Sequence, residues 1–208
     1  MGARNDLRES SMDKSGEIYA QRAVVEATHT ASPLTIFDVG ANCGQWSGQM
    51  LSVIPADRRK PSRMMLHAFE PSPGAREAFC KTILGDEDKV GRIIQIHDVA
   101  LSDTVGTAKF AIWKGTAGTN TLNYDESMTD RAERFIDVAL ETIDTFTEKH
   151  GIKHIHMLKC DTEGNDVRVI MGAERLIDEE RIDVIQFEYN HSFIIPRFFL
   201  KDVFDFMS

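Results

Sequence analysis

The stretch FDVGANCGQWS, residues 37–47, sets an acid and two glycines directly after an apolar run. Such a turn could bring backbone amides close to a ligand. Gly40 and Gly44 permit close approach, and Asn42 is one of the few non-glycine types that tolerates a left-handed backbone. A nicotinamide-cofactor loop needs G-x-G-x-x-G, whereas the frame from Gly40 reads G-x-N-x-x-Q. A P-loop is excluded as well, since no Gly-Lys-Ser or Gly-Lys-Thr follows. The alternative is a tight strand-to-helix connection that holds no ligand. A second acid argues against that alternative: Glu70, in AFEPSP, ends a predicted strand where a doubly wound fold places the carboxylate that accepts hydrogen bonds from a ribose diol. Further along, LKCDTEGND sets Lys159, Asp161 and Glu163 at another predicted strand end, and Glu188, Asn190 and His191 follow the next. Lys159 and Asp161 on one strand face would pair beside the same crevice, and buried acids need such partners.

The elements that must position these residues are legible as periodicity. Short apolar runs of buried-strand length lie at 33–39, 62–70, 92–100, 154–161 and 181–190, and helical patterns at 16–30, 71–84, 141–151 and 165–180 alternate with them. Ser72 is suited to cap the second of those helices and Gly151 to end the third. Residues 107–113 and 134–140 alternate as antiparallel strands do, with a polar loop between them. Strand and helix in alternation predict a parallel, doubly wound α/β sheet, with its ligand crevice beyond the carboxyl ends of the strands.

Composition narrows the function classes. With 24 basic and 33 acidic residues and a net charge of -9, the chain is not built to track a phosphate backbone, so no nucleic-acid partner is expected. No run reaches the length of a membrane span, and the N-terminus is too polar for a signal peptide, so no membrane partner and a cytoplasmic location are expected. Cys43, Cys80 and Cys160 form no CxxC pair, which suggests neither a disulfide framework nor a zinc ribbon. Residues 1–11 are expected to be a flexible N-terminus and 12–208 one domain.

Five stretches in order, FDVGANCGQWS, HAFEPSPGAREAF, VALSDTVGTAKF, ETIDTFTEKHGIKHIHMLKCDTEGNDVRVIMGA and VIQFEYN, resemble the FkbM family of S-adenosylmethionine-dependent methyltransferases across roughly residues 34–190. LKCDTEGND is similar to the family's Leu-Lys-Ile-Asp-x-Glu-Gly pattern, with Cys160 in place of Ile. The resemblance implies a Rossmann-like class I methyltransferase sheet with helices on both faces, S-adenosylmethionine as cofactor and a small-molecule hydroxyl, of a sugar or natural product, as acceptor. It implies that Asp38, Gly40, Asn42 and Gly44 hold the methionine end, Glu70 the ribose, and Asp98 with the backbone near Val99 and Ala100 the adenine. Because the donor methyl is already activated, catalysis is chiefly placement, with a base for the hydroxyl proton. Asp161, Glu163, Lys159 and His191 are the candidates for the catalytic cluster. Asn120 and Thr121, in the loop at 115–126, and Glu188 would contact the acceptor.

Two alternatives remain open. Asp161, Glu188 and Asn190 resemble the oxygen ligands by which catechol-type methyltransferases hold magnesium, although the family resemblance requires no metal. A non-catalytic cofactor-binding module, acting as scaffold or regulatory partner, is the other. It draws on the C-terminal strand hairpin expected of such folds, which is missing here: RFFLKDVFDFM reads as a helix with apolar Phe198, Val203 and Phe206. Either the sequence stops short of that hairpin, or a homo-oligomer or partner chain completes the bare sheet edge.

Overall fold

The computed structural model describes residues 16–28, 33–83, 92–113, 120–124 and 126–208. The expected flexible segment 1–11 and half of the predicted loop between the antiparallel strands lie outside the described residues. Five strands make one parallel sheet in the order β3-β2-β1-β7-β8. They are β1 (Leu34–Val39), β2 (Met64–Phe69), β3 (Ile94–His97), β7 (Met157–Cys160) and β8 (Ile185–Phe187). A second sheet of three strands, in the order β4-β6-β5, joins β4 (Val99–Leu101), β5 (Gly106–Trp113) and β6 (Ala132–Glu141). β5 and β6 pair antiparallel, as their alternation predicts.

The central strands are buried on both faces, which is why they read as continuous apolar runs. From β1, Leu34 and Ile36 enter one core with Trp46, Met50, Leu66 and Phe79, beneath α1 (Glu17–Ala27), α2 (Gln45–Val53) and α3 (Pro73–Ile83). Phe37 and Val39 enter the other with Phe69, Phe146, Leu158 and Val169. That face is covered by α4 (Ile143–His150), α5 (Asp166–Met171), α6 (Glu174–Asp178) and α7 (Leu200–Phe206). Complete burial of a side chain such as Phe37 contributes about 1.5–3 kcal/mol. Helices on both faces of a parallel sheet make this the doubly wound α/β class expected.

Two predicted elements are divided by tertiary contacts. The run at 92–100 is two strands, because the chain leaves β2 after His97 and pairs with β6 from Val99 on, with exposed Asp98 at the exchange. The predicted helix 165–180 breaks between α5 and α6, where a Cβ on Gly172 would lie 2.1 Å from the Ser102 carbonyl oxygen. Asp144 of α4 secures the break. Its amide donates to the Gly172 carbonyl (2.9 Å), and its carboxylate accepts from the amides of Arg175 (2.9 Å) and Leu176 (3.2 Å). The local signals hold at α4, where the Thr142 hydroxyl accepts from the Thr145 amide and Gly151 ends the helix at φ 67°.

Beyond β8 the chain makes a 3-10 turn at His191–Ile194 and then α7, with no further strand among the described residues. Val203 is buried and Phe198 and Phe206 pack on the core, as the sequence pattern indicates. Among the described residues no helix is long and apolar enough to cross a membrane.

Candidate active site

The carboxyl ends of β1, β2 and β7 open onto one crevice. After Val39 the amides of Gly40 and Ala41 both donate to the Phe69 carbonyl, at 3.0 and 3.1 Å, tying the turn to β2. Gly40 is left-handed (φ 77°), and a Cβ there would lie 1.9 Å from the Asp161 carbonyl oxygen. Only glycine fits this crossing. Asn42, also left-handed at φ 47°, points its amide at Glu70 Oε2 (2.9 Å). Glu70 Oε1 accepts from the Ser72 amide (2.8 Å). Burial raises the Glu70 pKa, and those two amides pull against the rise. A carboxylate offers about four lone-pair directions. Two are taken by amides, and the outward pair suits a ribose diol.

Asp38 lies beneath the turn instead of lining the crevice. It is fully buried, accepts from Ser47 Oγ through Oδ2 (2.6 Å) and meets Lys159 Nζ at 3.2 Å through Oδ1, an ion contact more than an aligned hydrogen bond. Lys159 Nζ also lies 3.4 Å from both Asp161 Oδ2 and the Gly40 carbonyl. Burial opposes the ammonium charge, but Asp38 and Asp161 outweigh it and hold Lys159 above the ordinary lysine range. Lys159 therefore stays protonated. Lys159, expected in the catalytic cluster, is placed here as a brace for Asp38, Gly40 and Asp161.

Asp161 and Glu163 both line the crevice. Glu163 sits in a left-handed conformation (φ 54°), and its carbonyl accepts from Thr121 Oγ1 at 2.9 Å. Burial, then the charges of Asp161, Glu188 and Asp166, push its carboxyl up to about 7. A group poised there exchanges protons at neutral pH. The next residue, Gly164, is left-handed too, and a Cβ on it would strike the Ser192 carbonyl at 2.6 Å.

Of the other expected residues, Ala100 and Asn120 line the crevice. Asn120 Oδ1 accepts from the Trp113 amide (3.1 Å). Thr121 is buried and faces protein, fixing its loop to Glu163 and, by paired backbone bonds, to Ala111. Gly44 starts α2 and packs against Phe79 and Ile83, where a Cβ would lie under 3 Å from both side chains. Asp98, Glu188 and His191 are exposed and outside the crevice lining, although Glu188 acts on Glu163 through its charge. Trp46 is a core residue, and Cys160 is buried, its thiol raised well above the usual range first by burial.

Three contributors were not singled out from the sequence. Asn165 lines the crevice and donates from Nδ2 to the Leu101 carbonyl (3.0 Å). Thr162 also lines it and donates from Oγ1 to Asp166 Oδ2 (3.0 Å), which accepts from the Gly164 amide as well (3.2 Å). Asp166 is buried, and burial, with Asp161, raises it to about 6. The signal was an acid directly before an apolar helical run.

The magnesium alternative finds little support in the geometry. Asn190 Oδ1 is engaged by the Ser192 amide (2.7 Å). Among the described residues the one cluster of three metal-ligand types, His154, His156 and Asp183, lies at the amino ends of the strands. There the Thr35 amide donates to His156 Nδ1 (3.0 Å), so the neutral ring carries its hydrogen on Nε2, which then has no lone pair to give a metal.

Residues 38–208 match the Methyltransferase FkbM domain. The chain belongs to the FkbM methyltransferase family. Methyltransferase sdnD of Sordaria araneosa is 25% identical over 195 residues, spanning 82% of this chain and 70% of that protein. Among solved structures, the FkbM methyltransferase of Methylobacillus flagellatus KT aligns over 74% of this chain at 14% identity and TM-score 0.47. The alignment takes in 32% of that protein, so the chain spans about a third of its length. Precorrin-6y C5,15-methyltransferase of Geobacter metallireducens GS-15 aligns over 92% of this chain and 69% of its own, at 9% identity and TM-score 0.43. In this FkbM methyltransferase, the turn at 40–42, Glu70, Asp161 and Glu163 share one crevice.

Proposed function

We propose that this FkbM methyltransferase transfers a methyl group from S-adenosylmethionine to a hydroxyl of a sugar or natural-product small molecule, with Glu163 as the general base. The observation that carries this is the placement of Glu163 in the crevice formed by Gly40, Asn42 and Glu70, with its carboxyl near 7 and, among the described residues, no cation paired with it. The bound cofactor supplies a methyl group already activated on a sulfonium. Glu70 and the crevice wall at Gly40 and Asn42 suit its ribose and methionine parts. Asp161, braced by Lys159, orders the mouth of β7. Glu163 accepts the hydroxyl proton as the acceptor oxygen becomes nucleophilic, a role worth about 10²–10⁴-fold in rate.

Calorimetry of S-adenosylmethionine and S-adenosylhomocysteine, with NADH as control, tests the donor. Micromolar-range binding without NADH binding is expected. Methyl transfer to glycosides and hydroxylated metabolites then tests the chemistry. Cofactor binding with no transfer from a folded, full-length protein would favour the scaffold reading, for which the outer edge of β8, unpaired among the described residues, offers a docking edge.

A further inference from the structure

The strand order places Glu70 beyond β2 and the Asp161 and Glu163 pair beyond β7, on opposite sides of the β1 turn. With the ribose at Glu70, the acceptor approaches over β7. Three carboxylates line the crevice, Glu70, Asp161 and Glu163, and among the described residues no lysine, arginine or histidine does. The nearby cations are already engaged. Lys159 is buried between Asp38, Asp161 and the Gly40 carbonyl. Arg168 pairs with Asp103 at 2.8 Å, and Arg76 donates to the carbonyls of Glu70 and Pro71. Sites that recognise carboxylate or phosphate present arginine forks or lysines to them, and among the described residues none is presented here.

We infer that the acceptor hydroxyl belongs to a neutral or amine-bearing compound, and that acceptors with a carboxylate, phosphate or sulfate beside that hydroxyl are rejected. The inference rests on the methyl-transfer reading above. Two effects enforce the rejection. An added anion meets Asp161 and Glu163 in a partly buried site with, among the described residues, no free counter-charge. It also silences the base: Glu163 already stands near 7 through burial and the acids Asp161, Glu188 and Asp166, with Lys159 opposing them. A further like charge keeps the carboxyl protonated at neutral pH, whereas an ammonium on the acceptor favours its ionised form. At pH 7, displacement from about 7 to about 8 leaves about fivefold less base, and each further unit about tenfold less.

The acceptor need not be identified for the test. A small-molecule extract of the source cells is divided by ion exchange into anionic, neutral and cationic pools, and each is incubated with the full chain and methyl-tritiated S-adenosylmethionine at pH 7. S-adenosylhomocysteine binding is measured alongside. Label in the neutral and cationic pools, about fivefold or more above the anionic pool, is the expected result. Label chiefly in the anionic pool overturns the charge inference and leaves methyl transfer standing. No label in any pool, from a chain that binds S-adenosylhomocysteine, overturns the methyl-transfer reading and this inference with it. Glu188→Gln, an exposed conservative change, is expected to raise the anionic share several-fold. A share that does not move would mean that shape sorts the acceptors instead of charge.

Discussion

Asp38 and Lys159 are partners in the β1–β7 register, and their side chains meet again above it, Lys159 Nζ lying 3.2 Å from Asp38 Oδ1. The contact joins the strand that carries the cofactor turn to the strand that carries the acids. Lys159→Met leaves Asp38 buried with no counter-charge and is expected to cost about 3–5 kcal/mol in urea denaturation. Adding Asp38→Asn should recover most of that loss. A single variant as stable as the parent would show that the pair is no brace.

Glu70→Ala removes the acceptor of the Asn42 and Ser72 amides as well as the expected ribose contact. Calorimetry should show S-adenosylhomocysteine affinity down by about tenfold or more, as for loss of a charged hydrogen-bonding group. Undiminished affinity in a folded variant would refute the ribose role.

The Glu163 carboxyl, raised from 4.5 to about 7, predicts a kcat/KM that climbs through pH 7 and levels off above it. Glu163→Gln should lower turnover and flatten that profile. The stability effect has a definite sign. Between pH 4.5 and 7 the folded chain binds more protons at this site than the unfolded one, so the site weakens the fold as pH rises. Thermal melts should therefore find Glu163→Gln more stable than the parent at pH 8, with no such gain at pH 4. Identical pH profiles for both proteins would remove Glu163 from the mechanism.

His67 and His97 give the opposite slope. Their ring nitrogens lie 3.1 Å apart, and burial, then neighbouring charges, lowers them to about 3 and about 4. The unfolded chain takes up protons near 6.5 where the folded one does not, so their contribution is lost as pH falls from 6.5 towards 4. His67→Gln should make acid unfolding shallower over that window, measured by circular dichroism. Equal steepness would exclude the pair as the cause.

Two glycines should respond in opposite directions to alanine. Gly40→Ala drives a Cβ into the Asp161 carbonyl from a left-handed backbone and is expected to cost upwards of about 3 kcal/mol, with cofactor binding lost. Gly74, in α3, has open space around its Cβ position, and Gly74→Ala should gain up to about 1 kcal/mol. Denaturant titration of both variants separates the two cases.

What the sequence determined by itself is local. Apolar runs buried on both faces declare β1, β2 and β7; Gly151 ends α4; Gly40, Asn42 and Glu70 mark the strand ends that form the crevice. The signals are legible because each depends on a residue's own backbone preference or on neighbours within a turn. Partners far apart in the chain decided the rest. The 92–100 run divides because Val99 finds Ala139 across a second sheet, and the 165–180 helix breaks where Asp144 and Ser102 meet Gly172 and its neighbours. Thr121 became a tether once its hydroxyl reached the Glu163 carbonyl, 42 residues away. Lys159 is a fixed cation because Asp38, 121 positions earlier, lies beside it, whereas burial among acids raises the Glu163 carboxyl to about 7. Protonation depends on burial and on the nearest charges, and only the folded chain establishes either.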